Sequence, residues 1–159
     1  MPASPAEPVI RSLRLPDEAG VIADMMAGSE PWLTLRRDRE ACLKLLLDPT
    51  REVYAAATGG DPIGALVLAL GGPFRGYIQS IVVRADWRNR GVGRRLIAFA
   101  EERILRVSPN VFLCVSDFNT AARRLYARLG YERVGELPDY IVRGHSEILL
   151  RKTKGPLNA

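Results

Sequence analysis

The sequence predicts an α/β or α+β sandwich, with helices packed on one mixed sheet, and three observations carry that expectation. Strand-like and helix-like segments alternate along the 159 residues. Two glycine-rich turns, "TGGD" and "GGPFRG", join three successive strand candidates into a meander. After the meander, Val92 to Leu105 places Val92, Leu96, Ile97, Ala100 and Ile104 at steps of three and four, the pattern of a helix with one face on a sheet. The length suits one domain, and 47% apolar residues suffice for a core.

The elements follow in order. Val9 to Leu15 alternates apolar and polar residues as a half-buried strand does. Pro16 and Asp17 start a helix through "EAGVIADMM", and a second helix spans Asp38 to Leu47, closed by Asp48-Pro49. The meander strands are Glu52 to Ala57, Pro62 to Leu70 and Tyr77 to Val83; Val111 to Val115 is a short buried strand. Phe118, Ala122, Leu125 and Leu129 repeat helical spacing up to Gly130, a residue favoured at a left-handed helix stop. Tyr131 to Val134 and Tyr140 to Arg151 complete about seven strands with about four helices. Residues 1–8, "MPASPAEP", are expected as a disordered lead-in, 9–153 as the domain and 154–159 as a tail.

Composition narrows the function classes. A net charge of +5 favours an anionic partner: a nucleotide, a nucleic acid or a membrane surface. The two cysteines, Cys42 and Cys114, have neither metal-type spacing nor the density of a disulfide scaffold, so a cytoplasmic protein without a metal site is expected. The first residues lack the basic start and apolar stretch of a signal peptide, and no apolar run is long enough to cross a bilayer.

The chemistry concentrates in "VVRADWRNRGVGRRLIAF", where paired glycines and five arginines, Arg84, Arg88, Arg90, Arg94 and Arg95, meet a strand-to-helix junction. Amide hydrogens converging at a helix start form a nest for phosphate oxygens, and Arg88, Asn89, Arg90, Gly91, Val92 and Gly93 have that form. A dinucleotide fingerprint would need glycine where Leu96 stands, and a nucleotide-hydrolase loop would need Lys and Ser or Thr where Arg94 and Arg95 stand. Arg84 and Arg95 read better as a solvated face, Arg88, Arg90 and Arg94 as phosphate partners. Steeply salt-dependent binding of duplex DNA is the last-ranked reading, because the cluster is confined to one loop.

Arg-x-x-Gly-x-Gly after a strand ending "IVV" resembles the cofactor motif of the GNAT acetyltransferase superfamily, with Ala85 where proline is common and Trp87 at a usually aromatic site. "NTAARRLYARLGYERVGE" is similar to that family's second signature, in which Asn is followed three residues later by Ala, seven later by Tyr, and then by Leu-Gly-Tyr or Leu-Gly-Phe. The resemblance implies a mostly antiparallel sheet splayed between its fourth and fifth strands, and acetyl-coenzyme A as cofactor. It also implies that Ile81 and Val83 offer main-chain groups to the pantetheine arm, and that the amide of Ile81 or Val82 polarises the thioester carbonyl. Homodimers are common among similar proteins.

Tyr126 is the expected catalytic residue. Seven helical residues make nearly two turns, so Asn119 and Tyr126 share a face. A phenol with a reference pKa of about 10 can protonate a departing thiolate. The other readings are a half-buried packing tyrosine and, for Asn119, a helix cap.

The acceptor amine must also be neutral to react. At pH 7 deprotonation costs a lysine amine roughly 4.6 kcal/mol and an α-amine about 1.2 kcal/mol. In relatives that acetylate protein N-termini the resemblance implies a glutamate base where this chain has Cys114, and in the histone-acetylating branch one where it has Tyr77. Glu30, His145 and Glu147, or an ordered water chain, are the substitutes. The resemblance places the loop of Trp32, Leu33 and Leu35 over the substrate cleft, so they are expected either to line the acceptor side or to cap the core. The expected function is N-acetyl transfer to a primary amine, either a protein N-terminus or a small metabolite, by direct reaction in a ternary complex; a non-catalytic cofactor-binding sensor or scaffold is the alternative.

Overall fold

A computed structural model describes residues 2–158. The elements are β1 (Val9–Ser12), α1 (Asp17–Ala27), α2 (Arg39–Leu46), β2 (Glu52–Thr58), β3 (Asp61–Ala69), β4 (Tyr77–Val83), α3 (Val92–Ile104), β5 (Asn110–Ser116), α4 (Thr120–Arg128), β6 (Glu132–Pro138) and β7 (Ser146–Thr153). One sheet of seven strands runs β1-β2-β3-β4-β5-β7-β6. Every neighbouring pair is antiparallel except β4 and β5, which are parallel. The mixed, mostly antiparallel sheet with four helices is therefore the fold expected from the sequence.

Two apolar clusters sandwich the sheet. On one face α1 buries Ala19, Ile22, Ala23 and Met26, at helical spacing, against Ala55, Ala65, Val67 and Val82 of the strands. Asp38 caps α2, its Oδ1 accepting from the Ala41 amide at 2.8 Å, and turns Cys42 and Leu46 inward on the same side. On the other face α3 buries the five residues whose spacing marked them in the sequence. Three strand ends differ from expectation by three residues or more, one being β6, which runs on past Val134 to Pro138. β1 stops at Ser12, although the Leu13 amide still donates to the Val53 carbonyl. β7 begins only at Ser146, because residues 139–145 close a loop in which Asp139 adopts φ 52° and its Oδ1 accepts from the Gly144 amide at 2.6 Å. Ahead of β1, Pro8 is buried and the Ala6 carbonyl accepts from Thr58 Oγ1 at 2.8 Å.

Strand β4 carries two irregularities that shape the site. Val67 pairs with Ser80 and Leu68 with Ile78, which leaves Gln79 as an extra residue, a β-bulge. Side chains three positions apart on a regular strand face opposite ways. The bulge resets that alternation, so Ile78 and Ile81 both pack on the α3 side while Val82 enters the α1–α2 side. Pairing with β5 covers only Tyr77 with Phe112 and Ile78 with Leu113; from the bulge onward the two strands splay. At the closed end of this seam Gly76 has φ 89°, and a Cβ there would collide with the Asn110 carbonyl and Ile104, so only glycine lets the strands meet.

Candidate active site

Beyond β4 the chain makes a 3-10 turn at Ala85–Trp87, and two residues of positive φ, Asn89 (60°) and Gly91 (83°), lead into α3. The first helical bond runs from the Arg95 amide to the Gly91 carbonyl at 3.1 Å. The amides of residues 89 to 94 carry no internal hydrogen bond among the described residues, and no acidic side chain occupies the first turn of α3. Added Cβ atoms at Gly91 and Gly93 would meet nothing within 4 Å, so the chain is uncovered on that side. Free amides of this kind at a helix start suit an anion.

The arginines divide as their contacts dictate. Arg88 folds inward, donating from Nε to the Val83 carbonyl at 3.1 Å and from Nη2 to Ser29 Oγ at 3.2 Å, so it braces the loop. Arg90 stacks 5.0 Å from the Trp87 ring centroid. Arg84 pairs with Asp86 at 2.7 Å, and Arg95 lies 3.8 Å from Glu7. Arg94 has no ion-pair partner among the described residues.

A cleft of about 670 Å³ follows the β4–β5 splay. Tyr126 reaches it from α4, its ring edge-on to Tyr131 with centroids 5.8 Å apart. The Tyr126 hydroxyl has no hydrogen-bond partner among the described residues, and burial pushes its pKa up to about 12, so it holds its proton at neutral pH. Asn119 both caps α4, accepting from the Ala122 amide at 3.3 Å, and lines the cleft, so the two readings of this residue are compatible. Of the pantetheine candidates, Ile81 lines the cleft; Val82 and Val83 do not, and their side chains pack into the two cores.

The acceptor candidates separate. Trp32 and Leu35 line the cleft. Glu30 does not: its carboxylate accepts from the Thr34 amide at 3.1 Å and Thr34 Oγ1 at 2.8 Å, closing a turn. His145 also lies outside the lining, its Nδ1 3.0 Å from Asp117 Oδ1 and its ring against Phe118. Tyr77, Cys114 and Glu147 share the cleft floor because the register sets Tyr77 beside Phe112, and Ser116 opposite Glu147, on one face. Burial pushes the Tyr77 phenol and the Cys114 thiol up, so both stay protonated at neutral pH and Cys114 is no ready nucleophile. Glu147 is 6% exposed and its Oε2 accepts from Ser116 Oγ at 2.6 Å; burial lifts its pKa, Asp117 adds to the rise, and Ser116 and Arg37 oppose it. Phe74, Tyr140, Ile141 and Arg37, also on the lining, come from loops whose approach no local pattern signals. Among the described residues no group of three or more His, Cys, Asp or Glu side chains is placed to share a metal ion, and no helix is long and apolar enough to cross a membrane.

Free amides at a helix start, and a protonated phenol on a cleft that follows the splay of the sheet, suit an acyltransferase that draws on a phosphorylated acyl carrier. Comparison with known proteins gives the class its family. The chain belongs to the Acetyltransferase (GNAT) family, whose profile matches residues 17–131. It is 31% identical over 141 residues to the N-alpha-acetyltransferase RimI of Mycobacterium tuberculosis, covering 84% of this chain and 82% of that protein. Its fold resembles an aminoglycoside 6'-N-acetyltransferase solved with coenzyme A, with TM-score 0.74 at 18% identity over 93% of this chain and 98% of the other. The NatC complex bound to Gag peptide and coenzyme A also matches, with TM-score 0.68 at 22% identity, covering 94% and 100%. The protein is an acetyl-coenzyme A-dependent N-acetyltransferase.

Proposed function

We propose that the chain transfers acetyl directly to a single amine flanked by apolar groups, such as a peptide N-terminus, within a ternary complex, with Tyr126 as general acid. The observation that carries this is the unpartnered, protonated Tyr126 hydroxyl on the cleft that follows the β4 splay. The cradle fits the proposed cofactor: the free amides of Asn89, Arg90, Gly91, Val92, Gly93 and Arg94 suit a diphosphate, Arg94 adds charge, and Arg88 and Arg90 shape the loop. The unpaired edge of β4 at Ile81, Val82 and Val83 suits an extended arm carrying main-chain-like amides, and a free amide there suits a carbonyl oxygen gaining charge.

Acetyl-coenzyme A supplies the activated acetyl group and a thiol leaving group. Tyr126 donates a hydrogen bond to the sulfur as negative charge gathers on it. The surroundings that raise the phenol pKa raise a neighbouring thiol in the same direction, since both charged forms lose solvation, and the two stay matched for proton sharing. Cys114, held as a thiol, favours attack by the amine itself over an acyl-enzyme.

The charge of the cleft supports the acceptor class. Arg37, Arg51 and Glu147 are its charged lining residues, and Trp32, Leu35, Phe74 and Ile141 make apolar walls. A polycation would meet two arginines and one carboxylate. An amine with apolar neighbours finds one counter-charge and matching walls, in keeping with the N-alpha-acetyltransferase named among the relatives. Release of free thiol from acetyl-coenzyme A across peptides with free N-termini, lysine-type amines and aminoglycosides tests this. Highest kcat/KM for α-amines and intersecting initial-velocity lines are expected. Preference for the polycations would overturn the acceptor class, parallel lines the direct transfer, and no turnover with any amine the enzyme reading, in favour of a cofactor-binding sensor or scaffold.

A further inference from the structure

We infer that Glu147 is the general base that takes the proton from the acceptor ammonium, with Ser116 as the residue that positions its carboxylate. The assignment deepens the transferase reading above and rests on it.

Glu147 is the one acidic side chain on the cleft lining, and it is buried there at 6% exposure. The β5–β7 register places it opposite Ser116, whose hydroxyl donates to Oε2 at 2.6 Å. The other oxygen, Oε1, takes no hydrogen bond among the described residues, yet it is absent from the buried unpartnered atoms, of which Asn110 Oδ1 is the sole case. Oε1 is therefore reachable from the cleft and has a lone pair to offer. A carboxylate fixed by one oxygen and open at the other is arranged to accept a proton from a visiting group.

The neighbours leave the role to Glu147. From β4 it faces Tyr77, from β5 Cys114, from the turn after β5 Asp117, from the loop before α2 Arg37, and Tyr140 stands on the lining nearby. Tyr77 and Cys114 keep their protons at neutral pH, and Arg37 is a cation; none of them can accept one. Asp117 is held down by the Ser146 amide and His145, which makes it a poor base, and neither it nor His145 lines the cleft. Burial first, and Asp117 after it, raise the basicity of Glu147, while the Ser116 bond and Arg37 limit the rise.

The protons balance. The ammonium has three. One passes to Glu147 Oε1 and on to solvent, and the freed nitrogen lone pair forms the C–N bond as the C–S bond breaks and its electron pair leaves with sulfur. One stays on the amide nitrogen. The third offsets the proton that Tyr126 gives the thiolate, so the products are amide, thiol and one released proton.

Glu147→Gln keeps the shape and the Ser116 contact but cannot accept a proton. At pH 7 it is expected to lose about 10²–10⁴-fold in kcat/KM for an α-amine acceptor, with an unchanged calorimetric Kd for coenzyme A. Its residual activity should rise about tenfold per pH unit until the free amine itself titrates. Ser116→Ala removes a bond that favours the charged carboxylate, and so should move the acidic limb of kcat/KM to higher pH. In pH-difference infrared spectra of the free protein, a carboxyl signal titrating above the ordinary glutamate range should be present in the wild type and missing from Glu147→Gln. A Glu147→Gln variant with wild-type kcat/KM and the same acidic limb overturns the assignment while leaving the transferase reading intact. A wild type that releases no thiol with any amine removes both.

Discussion

The two halves of the site are made of different materials. The proposed cofactor side is backbone: amides 89 to 94 released by the helix start, and the edge of β4 freed by a bulge. The acceptor side is built of side chains, from Trp32 before α2 to Glu147 on β7, far apart in sequence. Main-chain geometry needs glycines at set spacing and tolerates much else. A wall of side chains needs particular residues at places that only folding brings together. The difference teaches which half sequence can announce and which half mutation can retune.

Four measurements would break or sharpen that contrast. Tyr126 stands where the halves meet, and Tyr126→Phe should lower kcat about 10²-fold or more while coenzyme A affinity stays put, read by steady-state kinetics and calorimetry. A phenol with its pKa raised to about 12 loses its proton only as pH approaches that value, so this residue should impose no basic limb on the wild-type profile near neutrality. Gly93→Ala comes next: a Cβ there meets no protein atom and Ala suits a helix better by about 1 kcal/mol. Unchanged or higher Tm with coenzyme A affinity reduced about tenfold or more would show a cradle read by backbone alone. Unimpaired affinity would break the contrast.

On the other half, Tyr140→Ala removes a ring that is 66% exposed, so stability should hold within about 0.5 kcal/mol. Its expected effect is a several-fold rise in acceptor KM at unchanged kcat. The smallest effect belongs to a site in neither half. Glu18 accepts from Arg11 at 2.7 and 2.8 Å and from the Arg14 amide at 2.8 Å, and chiefly the Arg11 bonds hold its pKa below the usual range. Its contribution is present above the unfolded glutamate pKa of about 4.3 and fades as pH falls through the lower folded value. Glu18→Gln should cost about 1 kcal/mol at pH 7 by denaturant melts, lose that deficit in acid, and leave kcat/KM alone.

Sequence legibility follows the same division. Tyr77 to Val83 was readable as a strand to the residue, and α3 to within one, because alternation and helical spacing are local signals. The loop of free amides before α3 was legible because glycine spacing encodes it. The bulge at Gln79 was not, since nothing in "YIQSIVV" marks an extra residue; it arises from how β3 and β4 pair. Nor could spacing tell that Glu30 is consumed by Thr34, that His145 turns to Asp117, or that β7 gives up residues 140–145 to a loop tied by Asp139 and Gly144. Glu147 was one carboxylate among several until the register set it against Ser116.

The seam between β4 and β5 has a consequence for folding. With two paired positions to join them, the strands β1 to β4 and the strands β5 to β7 are nearly separate antiparallel sheets sharing a short hinge. In the proposed complex acetyl-coenzyme A threads the gap and supplies the rungs the protein leaves out, so the reactant would double as a beam. Saturation to a hundred times Kd then adds about 2.7 kcal/mol to the cost of unfolding, and the enzyme is sturdiest when it is charged for work.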